Sequence, residues 1–283
     1  MTQTITCPAP AKLNLFLHVV GRRPDGYHLL QTLFRFIDLR DMLHFTLRSD
    51  GIVHRTNTIK GVTEDQDLCV QAARMLQIET GCMLGVNITV EKHIPVGGGL
   101  GGGSSDAATT LIALNRMWSL GLPRARLMQL GLRLGADVPV FVFGENAFAE
   151  GVGEELQAYP LPEAWYVVLL PPVQVPTAQI FGHPELTRDT VSITMRALSE
   201  RWQEQLRNDL QSVACKLYPE VERHIAWLNN FGRAMMTGSG ACVFAKFADQ
   251  NQAEAVLQQL PHDMRGVVAR GLAQHPLHDW VLD

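Results

Sequence analysis

The stretch Pro95-Val-Gly-Gly-Gly-Leu-Gly-Gly-Gly-Ser-Ser105 lies between two segments of clear periodicity. On its N-terminal side, Val86-Asn-Ile-Thr-Val-Glu91 alternates apolar and polar residues, which predicts a half-buried strand. On its C-terminal side, apolar residues recur at helical spacing from Asp106 to Leu120. The stretch is therefore predicted to be a glycine-rich loop that leads into the N-terminus of a helix.

Such a loop suits a phosphate chain. Glycines let the backbone turn sharply and approach a bound group closely. The first amides of a helix lack partners within it and carry partial positive charge, so they bind anions. The hydroxyls of Ser104 and Ser105 are expected beside these amides. A flexible linker is the alternative interpretation. Periodic segments adjoin the loop on both sides and leave no slack, which favours the phosphate-binding loop.

Two common phosphate-binding patterns do not fit this loop. A P-loop closes with Lys-Ser or Lys-Thr, and this stretch contains neither pair. The pattern G-x-G-x-x-G does occur, but a dinucleotide-binding fold requires a second strand after the helix, ending in an acidic residue. Instead, Gly121-Leu-Pro123 leads into another helical segment, Arg124 to Leu134.

Composition indicates an ordinary globular protein. The 283 residues, 46% hydrophobic and 18% charged, predict a sizeable core and two domains. The net charge of −4, with no basic run, argues against nucleic acid or an anionic membrane as partner. The five cysteines are scattered without a C-x-x-C pair, and no signal peptide is recognisable, so we expect reduced thiols and a cytoplasmic protein.

Two charged residues lie at predicted strand ends. Residues 11–20 alternate as a strand with Lys12 and Asn14 on one face; locally, a solvated strand end is the better interpretation of the lysine. Asp137 precedes the apolar run Val138 to Phe143, which we read as a strand, while Gly135 is read as the left-handed end of the preceding helix. Asp137 itself is either a turn residue or a poised base, and local sequence leaves this open.

The remaining chain predicts a second domain. Prolines punctuate the segment after Gly153, and we place a boundary near Leu156 to Glu163. Helical stretches are expected between Val191 and Phe231. A second glycine-rich turn, Met236-Thr-Gly-Ser-Gly-Ala-Cys-Val-Phe244, runs into a strand, and a further helix and strand follow it.

Four segments together resemble the motifs of the galactokinase, homoserine kinase, mevalonate kinase and phosphomevalonate kinase (GHMP) superfamily. They are Pro8-Ala-Pro-Ala-Lys-Leu-Asn-Leu15, Pro95 to Ser105, Leu134-Gly-Ala-Asp-Val-Pro139 and Thr237-Gly-Ser-Gly-Ala241. Within it, Pro-Asp-Gly-Tyr-His28, Gln31-Thr-Leu-Phe34 and Ala149-Glu-Gly-Val-Gly153 resemble the branch that phosphorylates a cytidine diphosphate-linked methylerythritol in the non-mevalonate isoprenoid route. The resemblance covers nearly the whole chain.

This resemblance implies an α+β fold of two domains with the active site in the cleft between them. Residues 1–158 would form the nucleotide-binding domain, of the ribosomal protein S5 domain 2-like type, and residues 159–283 the C-terminal domain. ATP and Mg²⁺ are implied, although the protein ligands of the metal stay unassigned. The implied catalytic pair is Lys12 and Asp137, and the implied substrate contacts are Asn14, Tyr27, His28, Thr177 and Phe181. The implied ATP-binding residues are Lys92, Pro95, Val96, Gly97, Gly98, Gly99, Leu100, Gly101, Gly102, Gly103, Ser104 and Ser105.

The chemistry of phosphoryl transfer agrees with these residue types. A carboxylate within hydrogen-bond reach accepts the proton of the substrate hydroxyl as the oxygen attacks the γ-phosphorus. An adjacent ammonium keeps that carboxylate ionised and offsets charge on the transferred group. We therefore expect Asp137 to act as the general base and Lys12 as its electrostatic partner.

Three residues depart from the pattern that the resemblance implies. Asp67 and Asp106 stand where relatives often carry Asn, and Gly182 stands where some carry Lys. Two other functions remain open: a kinase of the same fold with a different alcohol as acceptor, and a nucleotide or metabolite sensor without catalysis. The pair Tyr27 and His28 argues against the first, and the presence of both Lys12 and Asp137 argues against the second. The sequence does not indicate an oligomeric state.

Overall fold

The computed structural model describes residues 3–196 and 206–282. Its first sheet is built on two long antiparallel strands, β1 (Thr4–Arg22) and β2 (His28–Arg48), which pair along their full length. The predicted strands at 11–20 and 42–47 are parts of these two. The tight turn between them, predicted from its proline, aspartate and glycine, carries the chain directly into His28.

The pairing of β1 with β2 is irregular around the predicted site. Register shifts occur between Pro10 and Ala11 and again between Asn14 and Leu17, on either side of the segment that holds Lys12. Such irregularities bend a strand and re-aim its side chains. Lys12 is only 2% exposed, so its local interpretation as a solvated strand end is wrong. The C-terminal half covers this part of β1, and the Leu17 amide donates to a backbone carbonyl of that half.

Four shorter strands complete the first sheet: β3 (Val53–Arg55), β4 (Gly85–Glu91), β5 (Ala147–Glu150) and β6 (Glu155–Ala158). Their order is β3-β4-β2-β5-β6, with β1 on the other edge of β2. β4 and β5 pair with opposite ends of β2, so the sheet splays into two arms.

One hydrophobic core joins this sheet to four helices. The second of them is buried over most of its length, with twelve of its sixteen residues buried. This burial fixes the position of its N-terminus, at which the glycine-rich loop ends. The helices are α1 (Leu68–Thr80), α2 (Gly102–Met117), α3 (Arg124–Leu134) and α4 (Val138–Phe143).

The second sheet is antiparallel throughout, with the order β10-β7-β9-β8. Its strands are β7 (Trp165–Leu169), β8 (Ala234–Met236), β9 (Val243–Phe247) and β10 (Gly266–Arg270). Its helices are α5 (Thr177–Gly182), α6 (Gln211–Leu217), α7 (Pro219–Leu228) and α8 (Gln250–Leu257). The helical stretches predicted from 191 to 231 are borne out by α6 and α7, while residues 197–205 of that range lie outside the described residues.

Two local predictions near Asp137 are wrong. The apolar run Val138 to Phe143 is helix α4 and not a strand. A short apolar run that is buried on all sides has the same sequence pattern in a strand and in a helix. Pro139, in the first turn of α4, is compatible with the start of a helix. Gly135 has a φ of 174°, which is extended and not left-handed.

The helix predicted from Asp106 in fact begins at Gly102, inside the glycine-rich loop.

The end of the chain returns from the second sheet to the first. The amide of Leu272 donates to the carbonyl of Phe36, and that of His275 donates to Gly144. The last strand of the first sheet ends at Ala158 and the first strand of the second begins at Trp165. No helix in the described part of the chain is long and apolar enough to cross a lipid bilayer.

Candidate active site

The glycine-rich loop separates two cavities. The larger, about 760 Å³, opens toward the β1–β2 turn and α5, and the smaller, about 380 Å³, opens toward the start of α1. Gly97, Gly99, Gly101 and Ser104 line both cavities. A group held on the loop is therefore accessible from both sides.

The conformation of the loop requires glycine at alternate positions. Gly97, Gly99 and Gly101 have φ values of 72°, 76° and 73°, in the left-handed region that side chains rarely adopt. Gly101 is the N-cap of α2 and has no side chain to satisfy the first amides of the helix. These amides are therefore available to an anion on the loop.

Two predicted loop residues line neither cavity. Leu100 is buried, and its carbonyl accepts a hydrogen bond from the Lys12 amide at 3.0 Å. Ser105 is fully buried, and its hydroxyl donates to the carbonyl of Pro10 at 2.7 Å. Both residues thus fasten the loop to β1. Ser104 is the serine whose position faces the cavities.

The second glycine-rich turn rests directly on the first. The Cys242 amide donates to the Gly98 carbonyl at 3.0 Å, and the Thr237 hydroxyl lies 3.4 Å from the Gly99 carbonyl. A Cβ atom added at Gly99 would lie 2.2 Å from the Thr237 carbonyl oxygen. Gly99 is therefore required for close approach as well as for its backbone angle. This contact places the turn along the larger cavity.

Lys12 and Asp137 meet beside the loop. Lys12 Nζ lies 3.3 Å from Asp137 Oδ2 and donates to Asn14 Oδ1 at 2.5 Å. The Asp137 side chain is 37% exposed and makes no capping bond to α4, so its carboxylate is open to the larger cavity. Asn14 is held by Thr32, which accepts from its amide group at 2.9 Å, and by Thr237, which accepts from its backbone N–H at 2.9 Å.

The five predicted substrate residues all line the larger cavity. His28 and Phe181 form one wall, with ring centroids 5.0 Å apart, and Tyr27 is 64% exposed at the rim. The Thr177 hydroxyl is hydrogen-bonded to that of Ser239 in the second turn, at 2.8 Å. Burial is the largest cause that lowers the pKa of His28, and the guanidinium groups of neighbouring arginines lower it further.

Lys92 lines the smaller cavity but is not a solvent-exposed cation. Its ammonium is paired with the buried carboxylates of Asp41 and Asp106, the latter at 2.7 Å. The remaining oxygen of Asp41 accepts from the amides of His93 and Ile94, so the cluster fixes the start of the loop. Burial raises the pKa of Asp106 to about 7, although Lys92 opposes this.

The other two departures also have local explanations. Asp67 caps α1 by accepting from the Cys69 amide at 2.7 Å, and it is paired with the buried guanidinium of Arg55 at 2.6 Å. Gly182 lines the larger cavity without contributing a charge, but Arg22 also lines that cavity. The lining of the larger cavity therefore includes a cation, although not at position 182.

Sequence reasoning missed two residues that organise the site. Asp41 is a buried acid within β2, but it lies just before the predicted strand at 42–47, where no local pattern distinguished it. Arg188 lies in the segment His183-Pro-Glu-Leu-Thr-Arg188, where no periodicity distinguished it. It donates to His28 Nε2 at 3.1 Å.

Within residues 3–196 and 206–282, no three His, Cys, Asp or Glu side chains converge as a metal site. Ser104 lines both cavities, and Asp137 lines the larger one. Mg²⁺ commonly takes one or two protein oxygens together with substrate phosphates and water. This donor set fits a metal that arrives with the nucleotide.

Comparison with known proteins gives consistent matches along the chain. The model for the N-terminal domain of GHMP kinases matches residues 67–145, and that for their C-terminal domain matches residues 187–266. A protein of Nitrosospira multiformis named 4-diphosphocytidyl-2-C-methyl-D-erythritol kinase is 59% identical over 98% of this chain and 94% of its own length. One of the same name from Thiobacillus denitrificans is 61% identical over 97% and 98%.

Solved structures agree with these matches. A crystal structure of 4-(cytidine 5'-diphospho)-2C-methyl-D-erythritol kinase superposes with a TM-score of 0.82 and 35% identity, covering 94% of this chain and 99% of that one. Mevalonate kinase from Methanococcus jannaschii superposes with a TM-score of 0.69 at 18% identity, covering 96% and 99%, which indicates a shared fold.

Proposed function

The chain belongs to the 4-diphosphocytidyl-2-C-methyl-D-erythritol kinases of the GHMP kinase family, and from this premise we propose how its residues carry out the reaction. It is a small-molecule kinase with the two-domain α+β fold of that family, and it phosphorylates 4-diphosphocytidyl-2-C-methyl-D-erythritol with ATP on the way to isoprenoid precursors. The accepting oxygen is the 2-hydroxyl, and the products are the 2-phosphate and ADP.

Asp137 acts as the general base in this proposal. Its carboxylate accepts the proton of the 2-hydroxyl while the oxygen attacks the γ-phosphorus of ATP. The ammonium of Lys12, 3.3 Å from that carboxylate, offsets the negative charge that develops around the transferred group. This pair of a buried lysine and a cavity-facing carboxylate beside the glycine-rich loop is the observation that carries the proposal.

The two cavities support a division of the substrates. We assign the nucleotide to the smaller cavity, with its phosphates on the loop and on the amides that begin α2. Lys92, held by two carboxylates, would lie next to the adenine base of ATP. We assign the methylerythritol group to the larger cavity near Asn14, and its cytosine to the wall of His28 and Phe181. The loop between the cavities would then bring both substrates to Asp137.

Mg²⁺ belongs to the proposal as the ion that screens the triphosphate charge when bound. Ser104, which lines both cavities, is the side chain that would hold it, which leaves Asp137 available as the base. The domain boundary after residue 158 and a cytoplasmic location also stay proposals. The five cysteines, none of them in a disulfide, favour a reducing compartment.

The test is ADP release from ATP in the presence of one candidate alcohol at a time. We expect turnover with the cytidine diphosphate-linked methylerythritol and little with homoserine or mevalonate. Turnover with another alcohol alone would identify a kinase of different specificity. Tight ATP binding with no ADP release from any alcohol would identify a sensor. The base assignment is tested in the same assay with Asp137→Asn. Asp65→Asn is its control, because Asp65 is an exposed acid paired with Arg74.

A further inference from the structure

Four hydrogen bonds hold the Arg188 side chain in place behind the wall that His28 and Phe181 form in the larger cavity. Nε donates to His28 Nε2 at 3.1 Å, and Nη1 donates to the Leu186 carbonyl at 3.0 Å. Nη2 donates to the carbonyls of Phe181 and His183 at 3.0 and 2.7 Å. Four of the five N–H groups of the guanidinium are therefore used within the protein. Arg188 joins the start of β2 to the end of α5.

This arrangement fixes the protonation of the His28 ring. A guanidinium has no acceptor and stays protonated in proteins, so Nε2 of His28 must accept the hydrogen bond. A ring whose Nε2 accepts is neutral and carries its proton on Nδ1. The surroundings agree, because burial and the charges of Arg188 and Arg22 all lower the pKa of His28.

Nδ1 is the ring nitrogen left for a ligand. Within the described parts of the chain, it makes no hydrogen bond, and the His28 side chain lines the cavity. The Phe181 ring, 5.0 Å away, supplies an aromatic face on the same wall. An aromatic face accepts any base, whereas an N–H donor distinguishes one base edge from another.

We propose that Arg188 is a specificity-positioning residue: it holds His28 as an Nδ1–H donor, and this donor selects cytosine over uracil. Ring nitrogen N3 of cytosine has a free lone pair and accepts a hydrogen bond. The same nitrogen of uracil carries a proton and would oppose the Nδ1–H. A mismatched pair in a closed site weakens binding by about ten- to a hundred-fold. The inference rests on the cytidine diphosphate substrate proposed above.

The first test reads the tautomer directly. ¹⁵N NMR of the imidazole nitrogens of the wild-type protein at neutral pH should show His28 neutral, with its proton on Nδ1. The spectrum of His28→Gln identifies which of the ten histidines gives this signal. A proton on Nε2 overturns the proposal, and this result needs neither substrate nor activity.

The second test uses Arg188→Met. We compare kcat/KM for the cytidine diphosphate-linked substrate with kcat/KM for its uridine counterpart. Without Arg188 the His28 ring is free to move its proton to Nε2, so Nδ1 can accept from uracil. We expect the cytidine-to-uridine ratio to fall by about tenfold or more. The control is Arg223→Met, because Arg223 is exposed and paired with Asp263 on another surface; its ratio should equal that of the wild type.

A purely structural role for Arg188 gives a different result. A loosened Phe181 wall weakens both pyrimidines alike, because stacking does not distinguish them. Equal losses for both substrates therefore overturn the proposal. If Arg188→Met does not fold, the cytidine-to-uridine ratio of His28→Gln is measured instead. A glutamine side chain can donate or accept a hydrogen bond and should bind both bases, so this ratio should fall. A ratio equal to that of the wild type refutes the proposal. Wild-type protein that releases no ADP with the cytidine substrate refutes the proposed function instead, and the NMR result stands separately.

Discussion

Replacing Asp106 by Asn should change how stability depends on pH. Burial raises the pKa of Asp106 from its ordinary 3.8 to about 7. Between these two values the folded protein retains a proton that the unfolded chain has lost. The contribution of Asp106 to the free energy of unfolding therefore decreases as pH rises, by about 1.4 kcal/mol per pH unit, and becomes constant above the folded pKa. From pH 5 to pH 8, wild-type protein should lose about 3 kcal/mol through this group.

Asp106→Asn removes this loss and leaves Lys92 paired with Asp41. We expect the stability difference between variant and wild type, from urea unfolding at pH 5, 6, 7 and 8, to move in favour of the variant by about 3 kcal/mol. The titrating groups outside the cluster of Asp106, Lys92 and Asp41 are common to both proteins and cancel in the difference. Asp65→Asn, at an exposed position, should give a difference that does not vary with pH. Parallel stability curves for Asp106→Asn and wild type would refute the assignment of a buried, weakly acidic carboxyl at 106.

Four further results are expected. Asp137→Asn should lower kcat by about 10²–10⁴ while retaining ATP affinity by calorimetry, and near wild-type turnover would remove it as the base. Gly99→Ala should raise the KM for ATP and lower the melting temperature, because its Cβ would press on a backbone oxygen 2.2 Å away; unchanged values would contradict the loop geometry. Phe181→Ala should raise the KM for the cytidine substrate about tenfold at constant KM for ATP, and a change in ATP alone would contradict the assigned wall. Arg55→Met should cost about 3–5 kcal/mol in urea unfolding because it leaves a buried carboxylate unpaired, whereas Arg74→Met, at an exposed pair, should cost less than about 1 kcal/mol; equal costs would count against this distinction.

The sequence predicted the loop and the helix after it because glycine content and helical periodicity are local signals. Helix α3 was predicted with its observed bounds, Arg124 and Leu134, and the strand after the second glycine-rich turn was also predicted. Helix α4 was read as a strand, because a six-residue apolar run buried on every side has no periodicity to distinguish the two. The short helix α5, which carries the Phe181 wall, was not predicted either.

Only the parts of the site that lie within one continuous sequence motif could be predicted from local sequence. Lys12 looked like a solvated strand end because nothing in its own strand indicates that the C-terminal half covers it. Its pairing with Asp137, 125 positions away in the chain, came from the resemblance to a family. The distance of 3.3 Å between Lys12 Nζ and Asp137 Oδ2 is consistent with that pairing. Arg188 was not found, since its role depends on contact with a histidine that lies 160 positions away in the chain. Contacts between distant segments are set by tertiary packing, which local patterns do not encode.

The contact between the two glycine-rich turns has a consequence for biosynthesis. A nascent polypeptide that has left the ribosome as far as α4 already contains Lys12, the loop and Asp137. It still lacks Cys242, whose amide holds the loop through the Gly98 carbonyl. Ligand-competent protein is therefore expected only after residue 242 has been synthesised, and ribosome-bound chains halted before that residue should not retain ATP.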